Sequence, residues 1–230
     1  MTVILLRHGR STSNVAHTLA GRSPGVELDE KGHIQARGVV DRLGAVTVHA
    51  IVTSPLLRCE QTVAPLAVEL NLTPVVEDRL AEVDYGQWTG RAIAELLTEP
   101  LWKVVQQQPS AAQFPGGEGL AQVQARAVAA IREHDRRLSE EYGGDCVWLA
   151  CTHGDVIKSV LADALGTHLD AFQRIVADPA SMSVVRYTEL RPFVMHMNHT
   201  GPDLSSALSA RPPEKPAGAA SDAPVGGTTD

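Results

Sequence analysis

With 230 residues, 43% hydrophobic and 20% charged, the chain has the composition of an ordinary globular protein and can bury one sizeable core. Its formal net charge of −7 and pI near 5.7 exclude general binding to nucleic acid or to an acidic membrane, but leave room for a basic cleft that takes a small anion. No apolar run reaches the ~18 residues of a membrane span, no secretory leader precedes Arg7 and His8, and Cys59, Cys146 and Cys151 fit no zinc spacing. Reduced thiols in a cytoplasmic protein are expected.

In chain order, the first element is a strand. Val3 to Leu6 are consecutive branched apolar residues, the pattern of a strand buried on both faces. It stops at Arg7-His8-Gly9, and Ser11 to Asn14 supply the cap of a helix start. A polar loop from Ala20 to Gly25 leads to a helix from Asp29 to about Leu43, with Ile34, Val39, Val40 and Leu43 as its apolar stripe. Val48 to Thr53 reads as a second strand, and Ser54-Pro55 as the N-cap and first residue of a helix reaching Leu70. Val75-Val76 is a short third strand.

Leu80 to Gly90 is irregular, and from Arg91 to Gln108 only short helical turns fit, broken by Pro100 and Pro109. The turn Phe114-Pro115-Gly116-Gly117-Glu118 opens the longest helix, up to Tyr142, with Leu120, Val123, Ala127, Ile131 and Leu138 at helical spacing. Cys146 to Cys151 is a fourth strand, followed by Thr152-His153-Gly154 and a helix through Leu165. Ser183 to Thr188 and Phe193 to Asn198 read as late antiparallel neighbours. From 201 to 230 the composition turns to Pro, Ala, Ser and Gly without aromatics, which predicts a disordered tail behind a domain spanning 1–200. Strands alternating with helices predict an α/β/α sandwich of three layers around a mostly parallel sheet.

In a parallel sheet the strand ends share one edge, where ligands bind. This order places Arg7 and His8 after the first strand, Arg58 after the second, Glu82 beyond the third and His153 after the fourth. Two arginines, always charged and able to grip phosphate oxygens in pairs, beside two histidines and a carboxylate point to a phosphoryl group.

Here the chain resembles the histidine phosphatase superfamily, the phosphoglycerate mutase-like family. The motif R-H-G-x-[ST]-x-x-N stands as Arg7 to Asn14, S-P-L-x-R-x-x-Q-T as Ser54 to Thr62, L-x-E-x-x-x-G-x-W-x-G as Leu80 to Gly90, and the second histidine motif as Thr152-His153-Gly154. The resemblance implies a phosphoglycerate mutase-like fold and a phosphomonoesterase acting on a small phosphorylated metabolite. In it His8 is the nucleophile and Glu82 the proton donor, while Arg7, Arg58 and His153 hold the phosphoryl oxygens. It further implies substrate contacts at Ser11, Asn14, Gly21 and Gly154, and no metal or cofactor.

Mutases of the family carry Arg-His directly after the acidic residue and an arginine pair in the following insertion; this chain has Val83-Asp84 and the lone Arg91. A phosphomutase and a non-catalytic phosphate-binding module are the alternatives. Selectivity is expected from the 86–117 insertion and the 21–28 loop. There Trp88, Trp102 and Phe114 either line an apolar pocket or form the insertion's own core. Gly119 stands where the family more often has Ser or Thr, and either widens the pocket or lengthens the turn. A late strand at the sheet edge offers a surface for a homodimer.

Overall fold

A computed structural model of the protein describes residues 1–143, 145–201 and 204. Apart from Gly201 and Leu204, the tail predicted over 201–230 lies outside the described residues. Leu204 is fully buried, and its N–H donates to the Arg42 carbonyl.

The strands are β1 (Thr2–Arg7), β2 (Ala50–Thr53), β3 (Val75–Val76), β4 (Val147–Thr152), β5 (Met182–Tyr187) and β6 (Pro192–His199). They form one sheet in the order β3-β2-β4-β1-β5-β6. β3, β2, β4 and β1 run parallel, β5 is antiparallel to β1, and β6 is antiparallel to β5. The helices are α1 (Thr12–Val15), α2 (Glu30–Leu43), α3 (Leu57–Leu70), α4 (Ile93–Leu96), α5 (Pro100–Gln107), α6 (Leu120–Tyr142) and α7 (Gly154–Ala164).

Side chains of a strand alternate between faces, so the apolar run of β1 serves two cores. Val3 and Leu5 pack with Ala127, Ile131, Val156 and Val160 of α6 and α7. Ile4 and Leu6 pack with Val39, Leu43, Val63 and Leu66 of α2 and α3. That is the expected α/β/α sandwich, and it explains why β1 reads as continuously hydrophobic.

Two local expectations are corrected. Ile34 was expected on the buried stripe of α2, yet it is 57% exposed. The buried positions are Gly32, Ala36, Val39 and Leu43, spaced three or four apart, and Ile34 is off that face. Ser54-Pro55 does not start α3; Leu56 holds the cap position with no side-chain cap bond, and Ser54 is drawn inward by another partner.

Candidate active site

The parallel register brings the strand ends together. Arg7 of β1 pairs with Thr152 of β4, and Thr53 of β2 with Cys151. His8 and His153 therefore leave neighbouring strands side by side, with ring centroids 5.2 Å apart. The His8 backbone is held from both sides: its N–H donates to the Thr152 carbonyl and its carbonyl accepts from Ala180, each at 3.0 Å. The turn is then pinned to α3, where Gly9 N donates to Thr62 Oγ1 (3.0 Å) and that hydroxyl donates to the Arg58 carbonyl (2.6 Å). Ser11 caps α1 with Asn14 in a reciprocal pair, Ser11 N donating to Asn14 Oδ1 at 2.9 Å.

Hydrogen bonding assigns the His8 tautomer. Arg58 Nε, which can only donate, lies 3.3 Å from His8 Nε2, and His8 Nδ1 is 2.7 Å from the Gly9 carbonyl. The proton is therefore on Nδ1, and the Nε2 lone pair faces the guanidinium. Burial, then Arg58, then Arg7 hold the His8 pKa well below the ordinary histidine value, so the ring is neutral across physiological pH. Burial first, then Arg58 and His8, do the same to His153.

Arg58 is 1% exposed, and its Nη2 donates to the Gly21 carbonyl at 2.9 Å. Arg7 Nη1 donates to the Ala177 carbonyl at 2.6 Å. Arg58 Nη1, Arg7 Nε and His153 Nδ1 are buried polar atoms with no partner among the described residues. A buried donor without a partner costs about 1–3 kcal/mol, so three from these residues mark a place for a strong acceptor. His153 Nε2 lies 2.7 Å from Ser54 Oγ, and His153 Nδ1 lies 4.0 Å from Glu82 Oε2. Ser54, read from the sequence as a helix cap, instead orients this imidazole.

Glu82 is held by its backbone. Its carbonyl accepts from Arg22 Nε (2.9 Å) and Arg126 Nη2 (3.2 Å), and both guanidiniums are paired with Glu118 at 2.8 Å. Glu118 also accepts from Asp84 N at 3.0 Å, which gives the Pro-Gly-Gly-Glu turn its task. Burial, then the nearby Asp155, push the Glu82 carboxyl up to about 7. A carboxyl balanced near neutrality can give a proton and take one back.

These groups open into a cavity of about 440 Å³ whose wall includes Arg7, His8, Ser11, Asn14, Arg58 and Glu82. Gly21 and Gly154 also line it, while His153 sits fully buried behind it. The selectivity wall differs from expectation. From the insertion only Ile93 lines the cavity; the outer wall comes from Thr18 to Ala20, from Asp155 and Lys158 of α7, and from Gln173 with 175–177. Sequence reasoning missed Asp155, Lys158 and Gln173. The one signal for the first two was a pair of opposite charges three residues apart on a helix that is otherwise mostly apolar, and Gln173 carried none. Trp88 and Phe114 form the insertion's own core: Phe114 stacks edge-on to Tyr85 at 4.9 Å and to Trp88 at 5.4 Å, and Trp102 stacks on Trp88 at 6.2 Å. Gly119 is not on the cavity wall; it holds the cap position of α6, and its N–H donates to Gln122 Oε1 at 2.8 Å. Among the described residues no group of three or more His, Cys, Asp or Glu side chains is placed to hold a metal ion.

The family model described as the histidine phosphatase superfamily (branch 1) matches residues 3–200. Phosphoserine phosphatase 1 of Hydrogenobacter thermophilus is 29% identical over 204 residues, covering 86% of this chain and 92% of that protein. A Yersinia pestis protein named Probable phosphoglycerate mutase GpmB is 31% identical, covering 82% of this chain and 86% of its own length. Three mycobacterial relatives, 33% identical, are longer proteins, and the chain spans 54% of their length. Among solved structures, the mycobacterial glucosyl-3-phosphoglycerate phosphatase Rv2419c complexed with VO3 superposes with a TM-score of 0.79 at 25% identity, covering 86% of this chain and 99% of that one.

Proposed function

The chain belongs to the histidine phosphatase superfamily, and on that premise we propose that it hydrolyses small phosphomonoesters through a phosphohistidine on His8. The observation that carries the reading is the His8 tautomer, with Nδ1–H on the Gly9 carbonyl and a lone pair on Nε2 beside Arg58. The Nε2 lone pair attacks phosphorus, the bond to the leaving oxygen breaks, and Glu82 gives that oxygen its proton, so an alcohol departs. Water then attacks the phosphohistidine, Glu82 takes the water's proton, and the P–N bond breaks to release inorganic phosphate and neutral His8.

Charge on the equatorial oxygens grows in each transition state. Arg7, Arg58 and His153 carry the unpartnered buried donors suited to meet it. For His153 Nδ1 to donate, Nε2 must accept, and Ser54 supplies the hydroxyl that makes it do so. Ser11 and Asn14 from the α1 cap, with Gly21 and Gly154, complete the wall around the phosphate. Since the guanidiniums supply the positive charge, the reading needs no metal or cofactor.

The test is hydrolysis of p-nitrophenyl phosphate by the full chain in the presence of a chelator. Turnover is expected, with loss of at least a thousandfold in His8→Ala; a folded protein without turnover overturns the reading. A mutase is the second reading, because GpmB carries that name. Geometry favours hydrolysis: Val83 is fully buried, Asp84 Oδ1 caps the Gly86 N–H at 3.0 Å, and the insertion lines the cavity with Ile93 but with no arginine. Product isomer formed without phosphate release would reverse that choice.

The same reading takes the protein as cytoplasmic, in keeping with three free, buried cysteines, and as one catalytic domain over 1–200 followed by a tail. The net charge of −7 supports neither nucleic acid nor membrane as a partner, and among the described residues no helix is long and apolar enough to cross a membrane. A homodimer would pair through β6 at the sheet edge; light scattering on the intact protein decides.

A further inference from the structure

Resting on that reading, we propose that Lys158 and Asp155, framed by Gln173, form the specificity element of the cavity and select phosphomonoesters whose non-phosphate part carries no net charge. Both side chains lie on the first turns of α7. A Cβ on Gly154, the first residue of that helix, would stand 3.4 Å from Arg7 Cζ, so α7 begins at the phosphate end. Lys158 follows four residues later, about 6 Å along the axis, where the rest of the substrate must extend. α7 cannot turn these two away, because Val156, Ile157, Val160 and Leu161 are each at most 1% exposed and fix its opposite face.

The pair is held in place but not closed. Lys158 Nζ lies 2.8 Å from Gln173 Oε1, 4.6 Å from the Phe172 ring centroid and only 3.5 Å from Asp155 Oδ1. A tight ammonium–carboxylate bond is about 2.7–2.9 Å, so this one leaves both groups capacity for a third partner. The Gln173 amide is oriented from behind, since its Nε2 donates to the Val105 carbonyl at 3.3 Å and its oxygen must face Lys158. Asp155 is oriented likewise, its Oδ2 accepting from Tyr85 Oη at 2.8 Å. An ammonium donor beside carboxylate and amide acceptors, each braced from outside, is a reader of paired polar groups.

Charge decides which tail fits. Arg7, Arg58 and Lys158 bring three formal positive charges to the wall and Asp155 one negative. With His8 neutral and Glu82 in its proton-donor form, the sum is two positive charges, which the phosphate dianion alone balances. A further carboxylate on the tail would meet Asp155 as well as Lys158, 3.5 Å apart, and would leave the partly buried cavity with one uncompensated negative charge, which is costly. A tail with a donor for Asp155 and an acceptor for Lys158, and no net charge, meets both groups. Hydroxyls of a polyol or the zwitterion of an amino acid share that chemistry, and about 440 Å³ admits either.

The test measures binding by calorimetry in the full-length His8→Ala protein, with glucose 6-phosphate, O-phosphoserine and 3-phosphoglycerate as probes. At least one of the first two should bind about tenfold tighter than 3-phosphoglycerate, and the tighter of them names the polar chemistry. Adding D155N should shift the affinity ratio about tenfold toward 3-phosphoglycerate, and adding K158Q should shift it the other way. General loosening of the site cannot move one ratio in opposite directions. Equal or tighter binding of 3-phosphoglycerate to His8→Ala, ratios unmoved by both changes, or ratios moved in the same direction overturn the proposal, as does failure of all three probes to bind. Binding needs no turnover, so absence of p-nitrophenyl phosphate hydrolysis in the wild-type protein would overturn the phosphatase reading separately.

Discussion

Glu82 and His8 line one cavity, and its environment moves their pKa values in opposite directions, up for the carboxyl and down for the imidazole. Burial disfavours charge on each, so the histidine stays neutral, as the proposed nucleophile must, and the carboxyl, pushed up to about 7, keeps its proton below that pH, as the proposed acid must. For an alkyl phosphate, kcat/KM should therefore fall about tenfold per pH unit above about 7 as Glu82 ionises. In Glu82→Gln that limb should vanish. The variant should lose about a hundredfold or more on glucose 6-phosphate and much less on p-nitrophenyl phosphate, whose leaving group departs without a proton; equal losses on the two would remove Glu82 from the role of acid. Ser54→Ala tests the positioning of His153: kcat should drop about tenfold or more while KM moves little, because the Nδ1 donor matters most when charge builds on the phosphoryl oxygens.

At the scale of elements, loops are held to helices by contacts that tolerate little change. Gly32, in the first turn of α2, sits so close to the Arg10 carbonyl that an added Cβ would overlap it. The same Arg10 carbonyl accepts from Asp29 N, the N-cap of α2, at 3.0 Å. Gly32→Ala should push the turn that carries His8 away from α2, at a cost of about 2–3 kcal/mol by chemical denaturation together with reduced kcat. Arg126 joins α6 to the segment around Glu82 through the Arg79 and Glu82 carbonyls and the Glu118 carboxylate. Arg126→Met should destabilise by about 2–3 kcal/mol, since it leaves Glu118 without its best-buried partner. It should also blunt the fall of kcat/KM above pH 7 as the Glu82 loop loosens; a stability loss with the pH profile intact would make Arg126 structural only.

At the scale of the whole molecule the raised Glu82 pKa is a stability statement. A carboxyl whose folded pKa, about 7, exceeds its unfolded value near 4.5 favours the fold fully below about pH 4.5, and that contribution is lost as pH rises through 7. The amount at stake is about 3 kcal/mol, an upper figure for a group still in contact with the cavity. Glu82→Gln should thus match the wild type in thermal stability near pH 4.5 and exceed it near pH 8.5; a constant offset across pH would show that Glu82 ionises freely in the folded state. Charges that aid chemistry oppose folding here, and the two cores on either side of the sheet carry that cost.

What the amino-acid sequence by itself determined is the alternation of elements, the doubly buried β1 and the strand-end residues Arg7, His8, Arg58, Glu82 and His153, because periodicity and local turn chemistry are properties of neighbours along the chain. Only the tertiary structure decided what depends on partners far apart in sequence. Ser54 looks like a helix cap until β2 and β4 lie side by side and place it 2.7 Å from His153, 99 residues away. Lys158 gains its place on the cavity wall only where Gln173 and Phe172 close around it. Ile34 counts as apolar on any scale, yet packing turned α2 so that it faces water. The tautomer of His8 and the balanced proton on Glu82 belong to this class as well, since burial and field are set by the assembled cavity rather than by any stretch of chain.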